Sequence, residues 1–208
     1  MTRPRFITLE GGEGVGKSTQ ARLLAEALRG RGKDVLETRE PGGSPGAEAI
    51  RSLLMTGAID RWTPQTEALL FAAARADHVA RTIRPALAEG AWVICDRYLD
   101  SSLAYQGGAD GMGGDAIRAL HDIGSGGLLP DRTLLLDLPA GTAAGREFER
   151  DQGNTDRFSI RGSEFRNAVF DSFRNLAKNE QDRFRIVDAR GTADDVTGRL
   201  IAALEDLL

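Results

Sequence analysis

The sequence predicts one α/β domain built on a doubly wound, parallel, five-stranded sheet with helices on both faces and a short lid over about residues 146–162. Three observations predict it. Strand-like and helix-like segments alternate along the whole chain, the later strands read as continuous apolar runs of the kind buried under helices on both faces, and a glycine-rich loop joins the first strand to the first helix. A chain of 208 residues suits one well-buried core, and without an internal repeat or a Ser/Pro linker residues 1–208 are taken as one domain.

Phe6 to Leu9 is a short apolar run ending at Glu10 and the glycine-rich loop, after which Ser18 to Leu28 carries apolar residues at helical spacing until Gly30 and Gly32. Val35 to Thr38 is the second strand. A turn-forming Glu40-Pro41-Gly42-Gly43 stretch leads to a helix through Ile50, Leu53 and Leu54, and a longer helix covers about Gln65 to Ile83, where Pro85 is expected to break or restart it. Trp92 to Cys95, Leu134 to Leu138 and Phe184 to Val187 complete the strands, and a last helix runs from about Ala193 to Leu208. Between Gly107 and Gly127 the chain is dense in glycine, yet Ile117, Leu120 and Ile123 keep helical spacing, so the stretch reads as a short helix flanked by loops.

Composition narrows the function classes. At 41% hydrophobic and 28% charged the chain sits among soluble globular proteins, and a net charge of −4 argues against nucleic-acid binding, which needs clustered positive charge. Lysine occurs only at Lys17, Lys33 and Lys178, so nearly all positive charge is arginine, whose planar fork matches phosphate oxygens in pairs. The single Cys95 cannot form an internal disulfide, the first residues lack an apolar signal core, and no apolar run approaches the roughly 20 residues that span a bilayer. The expected setting is cytoplasmic, without a membrane partner.

Gly11-Gly12-Glu13-Gly14-Val15-Gly16-Lys17-Ser18 fits GxxxxGK[ST] in the strand–loop–helix context that a phosphate-binding P-loop requires, which makes the fold P-loop NTPase-type. Glycines let backbone N–H groups wrap a phosphate, the helix N-terminus adds partial positive charge, Lys17 reaches the outer phosphates and Ser18 is placed to hold Mg²⁺. The ligand is then a nucleoside triphosphate, bound by Gly11 to Thr19.

Other motifs surround this one. Leu9 to Thr19, Thr38-Arg39-Glu40-Pro41-Gly42-Gly43, Asp96-Arg97-Tyr98, Ser101-Ser102-Leu103-Ala104-Tyr105-Gln106-Gly107, Gly126-Gly127 through Pro130-Asp131, and Leu136-Asp137 occur in the order and spacing of thymidylate kinases, which the chain resembles from about Phe6 to Arg157. The resemblance implies transfer of the γ-phosphoryl group of ATP to dTMP, giving dTDP, with Mg²⁺ as cofactor and a homodimer as the assembly.

Asp96 and Arg97 follow the third strand, so both are expected at the carboxyl edge of the sheet beside the P-loop, Arg97 to clamp an acceptor phosphate and Asp96 to organise Mg²⁺ water or the Lys17 network. Phe71 and Arg75, four apart on the long helix, share one face. By resemblance Phe71 stacks on thymine and Arg75 bonds its O4. Ser102, Tyr105 and Gln106 line the thymidylate pocket by resemblance, Tyr105 against the sugar, while Glu13 reaches the acceptor 3′-hydroxyl and Glu40, in the second motif, joins the substrate-binding set.

Members without a P-loop arginine place the catalytic charge in the lid, so the resemblance assigns Arg157, after Asp156, as catalytic together with Lys17 and Arg97, with Arg146 and Arg150 nearby. The chain departs from the family pattern at Ser159, where a glutamate is frequent, at Asp110, where arginine is usual, and at Ala168, Phe170 and Phe173, where arginines and a tyrosine are common. Two other readings compete. A deoxynucleoside kinase would use the same P-loop with Glu40 near the position of the base, whereas a nucleotide switch would carry an Asn-Lys-x-Asp segment, which is absent.

Overall fold

The computed structural model describes residues 3–139 and 161–208. Of the expected lid only Arg161 and Gly162 fall among them, and Arg146, Arg150, Arg157 and Ser159 lie outside the described residues.

Five strands, β1 (Phe6–Glu10), β2 (Val35–Arg39), β3 (Trp92–Asp96), β4 (Arg132–Asp137) and β5 (Phe184–Asp188), form one sheet in the order β2-β3-β1-β4-β5. Every pairing is parallel. Side chains of a strand alternate between faces, and the two faces hold different clusters. Ile7, Leu9, Trp92 and Ile94 pack with Leu24, Leu28, Val196 and Leu200, while Phe6, Val93 and Cys95 pack with Val79, Ile83 and Ile117. Because central strands β1 and β3 are covered on both sides, every residue in them is buried. At one edge β2 alternates, and at the other Ile186 of β5 is 57% exposed, since an edge strand has one open flank.

Helix α1 (Lys17–Gly30) starts at Gly16, whose φ of 96° is open to glycine and strained for other residues, and it buries Ala21, Leu24, Ala25 and Leu28. Ser44 caps α2 (Pro45–Met55) and Thr63 caps α3 (Pro64–His78), each side chain accepting a backbone N–H three residues on. Pro85 restarts the helical path, the second of the two expected outcomes. A π-helical turn over Val79–Ile83, closed by the Arg84 N–H donating to the Val79 carbonyl, carries α3 into α4 (Arg84–Ala88), where proline sits in the first turn and needs no N–H partner.

After β3, α5 (Leu99–Ser102) widens into a π-helical segment, Leu103–Ala109, so Gly107 is still helical. Helix α6 (Gly114–Ser125) occupies the glycine-dense stretch as expected, with Ile117 buried but Ile123 85% exposed. Helix α7 (Ser163–Asn179) precedes β5, and α8 (Ala193–Ala202) opens with a Thr192/Asp195 capping box. The last helix is shorter than expected: the chain bends after Ala203, burying Leu204 completely, and finishes in a 3₁₀ turn at Glu205–Leu207.

Candidate active site

The strand order places the ends of β1, β3 and β2 side by side, with Leu9 and Arg39 each opposite Asp96. The loops and helices that continue from those ends converge on one cavity of about 590 Å³. Its floor is the loop from Glu13 to Gly16 and the first turn of α1, where the Lys17 Nζ donates to the Gly12 carbonyl at 2.7 Å and the Ser18 hydroxyl donates to Asp96 Oδ2 at 2.5 Å. Burial, followed by the neighbouring Arg97 cation, lowers the Lys17 ammonium to about 8.

Arg97 holds the left-handed φ of 70°, the one positive φ outside glycine among the described residues. Glu10 over-determines that turn: its carboxylate accepts from the Tyr98 N–H at 2.8 Å, the Ser101 N–H at 3.3 Å and the Ser101 hydroxyl at 2.6 Å. Burial and then the charge of Asp100 push Glu10 up to about 8. The Arg97 fork donates to the Gly11 carbonyl and Ser101 through Nη1 and, through Nη2, to Glu13 at 2.6 Å, and Glu13 also accepts from the Tyr105 hydroxyl at 3.0 Å.

On α3 the stripe Glu67, Phe71, Arg75 faces the sheet end, each four residues from the next. Arg75 is buried, donating Nε to Glu40 at 2.8 Å and Nη2 to the Tyr98 carbonyl and Ser102 hydroxyl, while its Nη1 makes no hydrogen bond to a described residue. Phe71 and Arg75 line the same cavity as the P-loop, together with Ser102, Tyr105 and Gln106.

The sequence profile of thymidylate kinases matches residues 9–199. The chain belongs to the thymidylate kinase family. The thymidylate kinase of Rhizorhabdus wittichii is 67% identical over 204 residues, 98% of either chain, and that of Caulobacter vibrioides is 49% identical over 208 residues, 100% of this chain and 97% of the other. Among solved structures, the crystal structure of thymidylate kinase from Ehrlichia chaffeensis matches with a TM-score of 0.78 at 31% identity, covering 97% of this chain and 99% of that one.

Within this family member, most of the residues singled out from sequence gather around one cavity: Glu13 to Thr19, Glu40, Phe71, Arg75, Asp96, Arg97, Ser102, Tyr105 and Gln106. Gly11 and Gly12, also assigned to nucleotide binding, do not line it, and the catalytic assignment of Arg157 lies outside the described residues. Glu40 meets protein groups with both oxygens, Arg75 at Oε2 and the fully buried His78 at Oε1. His78, whose other ring nitrogen contacts Thr38 at 2.8 Å, carried no signal in the sequence because a lone histidine on a helix is usually core. Ala189, Gly191, Thr192, Ala193 and Val196, at the other end of the cavity, were likewise missed: small residues before a helix look like an ordinary capping turn.

Three of the departures from the family pattern, Phe170, Phe173 and Asp110, have visible packing roles. Phe170 of α7 lies against the P-loop, its ring within 2.6 Å of where a Cβ on Gly12 would stand. Phe173 is core and meets the Tyr105 ring edge-on at 6.4 Å, and Asp110 is paired with Arg161 at 2.9 Å.

A divalent cation fits the Ser18–Asp96 corner. Asp96 Oδ1 is a buried carboxylate oxygen with no hydrogen-bond partner, pointing to a cation beside the Ser18 hydroxyl. Mg²⁺ is commonly bound by one or two side chains with phosphates and water completing its shell, and Ser18 and Asp96 are two side chains of that kind.

Proposed function

We propose that this kinase transfers the γ-phosphoryl group of ATP to the phosphate of dTMP, giving dTDP and ADP. The observation that carries the reading is the continuity of one cavity from the P-loop to the Phe71–Arg75 face, with Arg97 between. ATP lies along the P-loop with its base toward Gly191 and Thr192, and dTMP inserts its thymine between Phe71 and Gln106. Arg75 donates its remaining Nη1 to the base carbonyl, Tyr105 and Glu13 bound the sugar, and Arg97 holds the acceptor phosphate.

An acceptor phosphate oxygen forms the new bond to the γ-phosphorus as the bond to the β–γ bridging oxygen breaks, leaving the electron pair on ADP. Lys17 and Arg97 meet the charge spread over the transferring group, fixed cations in a site that needs no reorganisation. Ser18 and Asp96 would hold Mg²⁺, which would neutralise charge on the phosphates. The rival reading, a nucleoside acceptor deprotonated by Glu40, loses support because Arg75 and His78 already engage both Glu40 oxygens.

The reading includes a cytoplasmic setting and a homodimer. Among the described residues no helix is long and apolar enough to cross a membrane, and α3 and α6 leave Leu69 and Ile123 exposed at 56% and 85%, apolar surface that a second copy would cover. ADP release measured across thymidine and a panel of nucleoside monophosphates tests the acceptor. Turnover is expected on dTMP and not on thymidine, and the reverse order would overturn the proposal. Sedimentation of the chain tests the dimer.

A further inference from the structure

Arg161 is the first described residue after position 160, and its guanidinium does not face solvent. Nη1 donates to both oxygens of Asp110, at 2.9 and 3.1 Å, and Nη2 to both oxygens of Glu67, at 3.2 and 3.1 Å. The plane lies 4.4 Å from the Phe165 ring centroid. Glu67 is 1% exposed, one helical turn before Phe71 and two before Arg75, and its Oε1 also accepts from the buried Gln106 Nε2 at 3.1 Å.

A carboxylate takes only the NH₂ end of an amide, so Glu67 sets which way Gln106 points and leaves its carbonyl end for whatever enters the cavity. A buried carboxylate keeps that place as an anion only while it is compensated by positive charge, and Arg161 is a cation in direct contact with it. Asp110 engages the other prong and so fixes where the fork lies.

We propose that Arg161 is a positioning residue for acceptor recognition: by compensating the buried Glu67 carboxylate it holds the Gln106 amide in the orientation that reads the acceptor base. The inference rests on the acceptor pocket proposed above, and Gln106→Met tests that pocket separately. No contact with ATP is involved, so the effect falls on one substrate.

Arg161→Met keeps an apolar stem over Phe165 and removes the charge. It is expected to raise the dTMP KM about tenfold, the scale of one hydrogen bond, with kcat and the ATP KM within about twofold of the parent. Adding Glu67→Gln returns the dTMP KM toward the parent value, because a neutral amide still accepts from Gln106 and needs no cation. A role confined to anchoring the start of α7 would not be rescued this way.

If Gln106→Met raises the dTMP KM and Arg161→Met does not, or if the double variant stays as impaired as Arg161→Met, the positioning role is overturned while the pocket stands. If Gln106→Met leaves the dTMP KM unchanged, the pocket assignment and this role fall together. Should Arg161→Met alone not fold, Arg161→Met/Glu67→Gln is compared with Arg161→Met/Glu67→Leu, which offers Gln106 no acceptor. The first is expected near the parent and the second about tenfold weaker for dTMP, and equal values overturn the role.

Discussion

Lys17 shows how burial brings a lysine into the titratable range near neutral pH. Its ammonium sits at about 8 in the free protein, and phosphates of a bound nucleotide favour the protonated form and raise it. ATP affinity is therefore complete below about pH 8 and weakens as pH climbs through that value, by up to about tenfold per unit. Calorimetric titration of ATP between pH 7 and 9.5 should show the loss, and Lys17→Arg, which stays charged, should flatten it. A flat profile for the parent protein would remove the titrating lysine from ATP binding. Arg75 raises a different issue, since it compensates the buried Glu40 as well as facing the cavity. Arg75→Ala is expected to cost about 3–5 kcal/mol of stability by stranding that carboxylate, in addition to raising the dTMP KM. Adding Glu40→Gln should restore most of the denaturation midpoint and none of the acceptor affinity. Recovery of both would make Arg75 a purely structural residue.

At the level of elements, helix α7 touches both ends of the site. Phe170 packs on Gly12, Phe165 and Phe173 meet the Tyr105 ring at 6.1 and 6.4 Å, and the Ser172 hydroxyl lies against Gly108. Three of the four glycines from Gly11 to Gly16 are needed for positive φ, but Gly12 is needed for space. Gly12→Ala drives a methyl into the Phe170 ring, which is expected to cost about 1–3 kcal/mol and to raise the ATP KM by shifting the carbonyl that Lys17 donates to. Phe170→Ala in the same chain should relieve both effects. If the double variant is no better than Gly12→Ala, the constraint lies in the loop itself and not in its contact with α7.

Across the whole molecule a buried polar layer ties strands together behind the site. Arg183, just before β5, donates through Nη1 and Nη2 to the two oxygens of Asp100 on α5, each at 2.6 Å, and through Nη1 to Thr133 of β4 at 2.7 Å. Thr133 in turn shares a hydrogen bond with Thr8 of β1. Asp100 is fully buried and lies two residues from Ser102, so its compensation holds the helix that brings Ser102 to the cavity. Arg183→Met should lower the unfolding free energy by about 3–5 kcal/mol in urea, and Arg183→Met/Asp100→Leu should regain a substantial part of it. Simple additivity of the two substitutions would mean that the pair is not coupled.

The sequence by itself determined the sheet and the P-loop, because each is written locally: continuous apolar runs in the strands and glycines beside one lysine. It also placed Asp96 and Arg97 at the carboxyl edge, since in a parallel α/β sheet the loop after a strand opens on that edge. Only the tertiary structure decided which groups share a charge. Glu40 with His78, Glu67 with Arg161 and Asp100 with Arg183 are separated by 38, 94 and 83 positions and meet because the strand order β2-β3-β1-β4-β5 brings distant segments together. The same holds for Phe170, whose place over Gly12 depends on how α7 crosses the sheet end. Local pattern encodes periodicity and turn geometry, whereas compensation of buried charge depends on distances that exist only after the chain has folded.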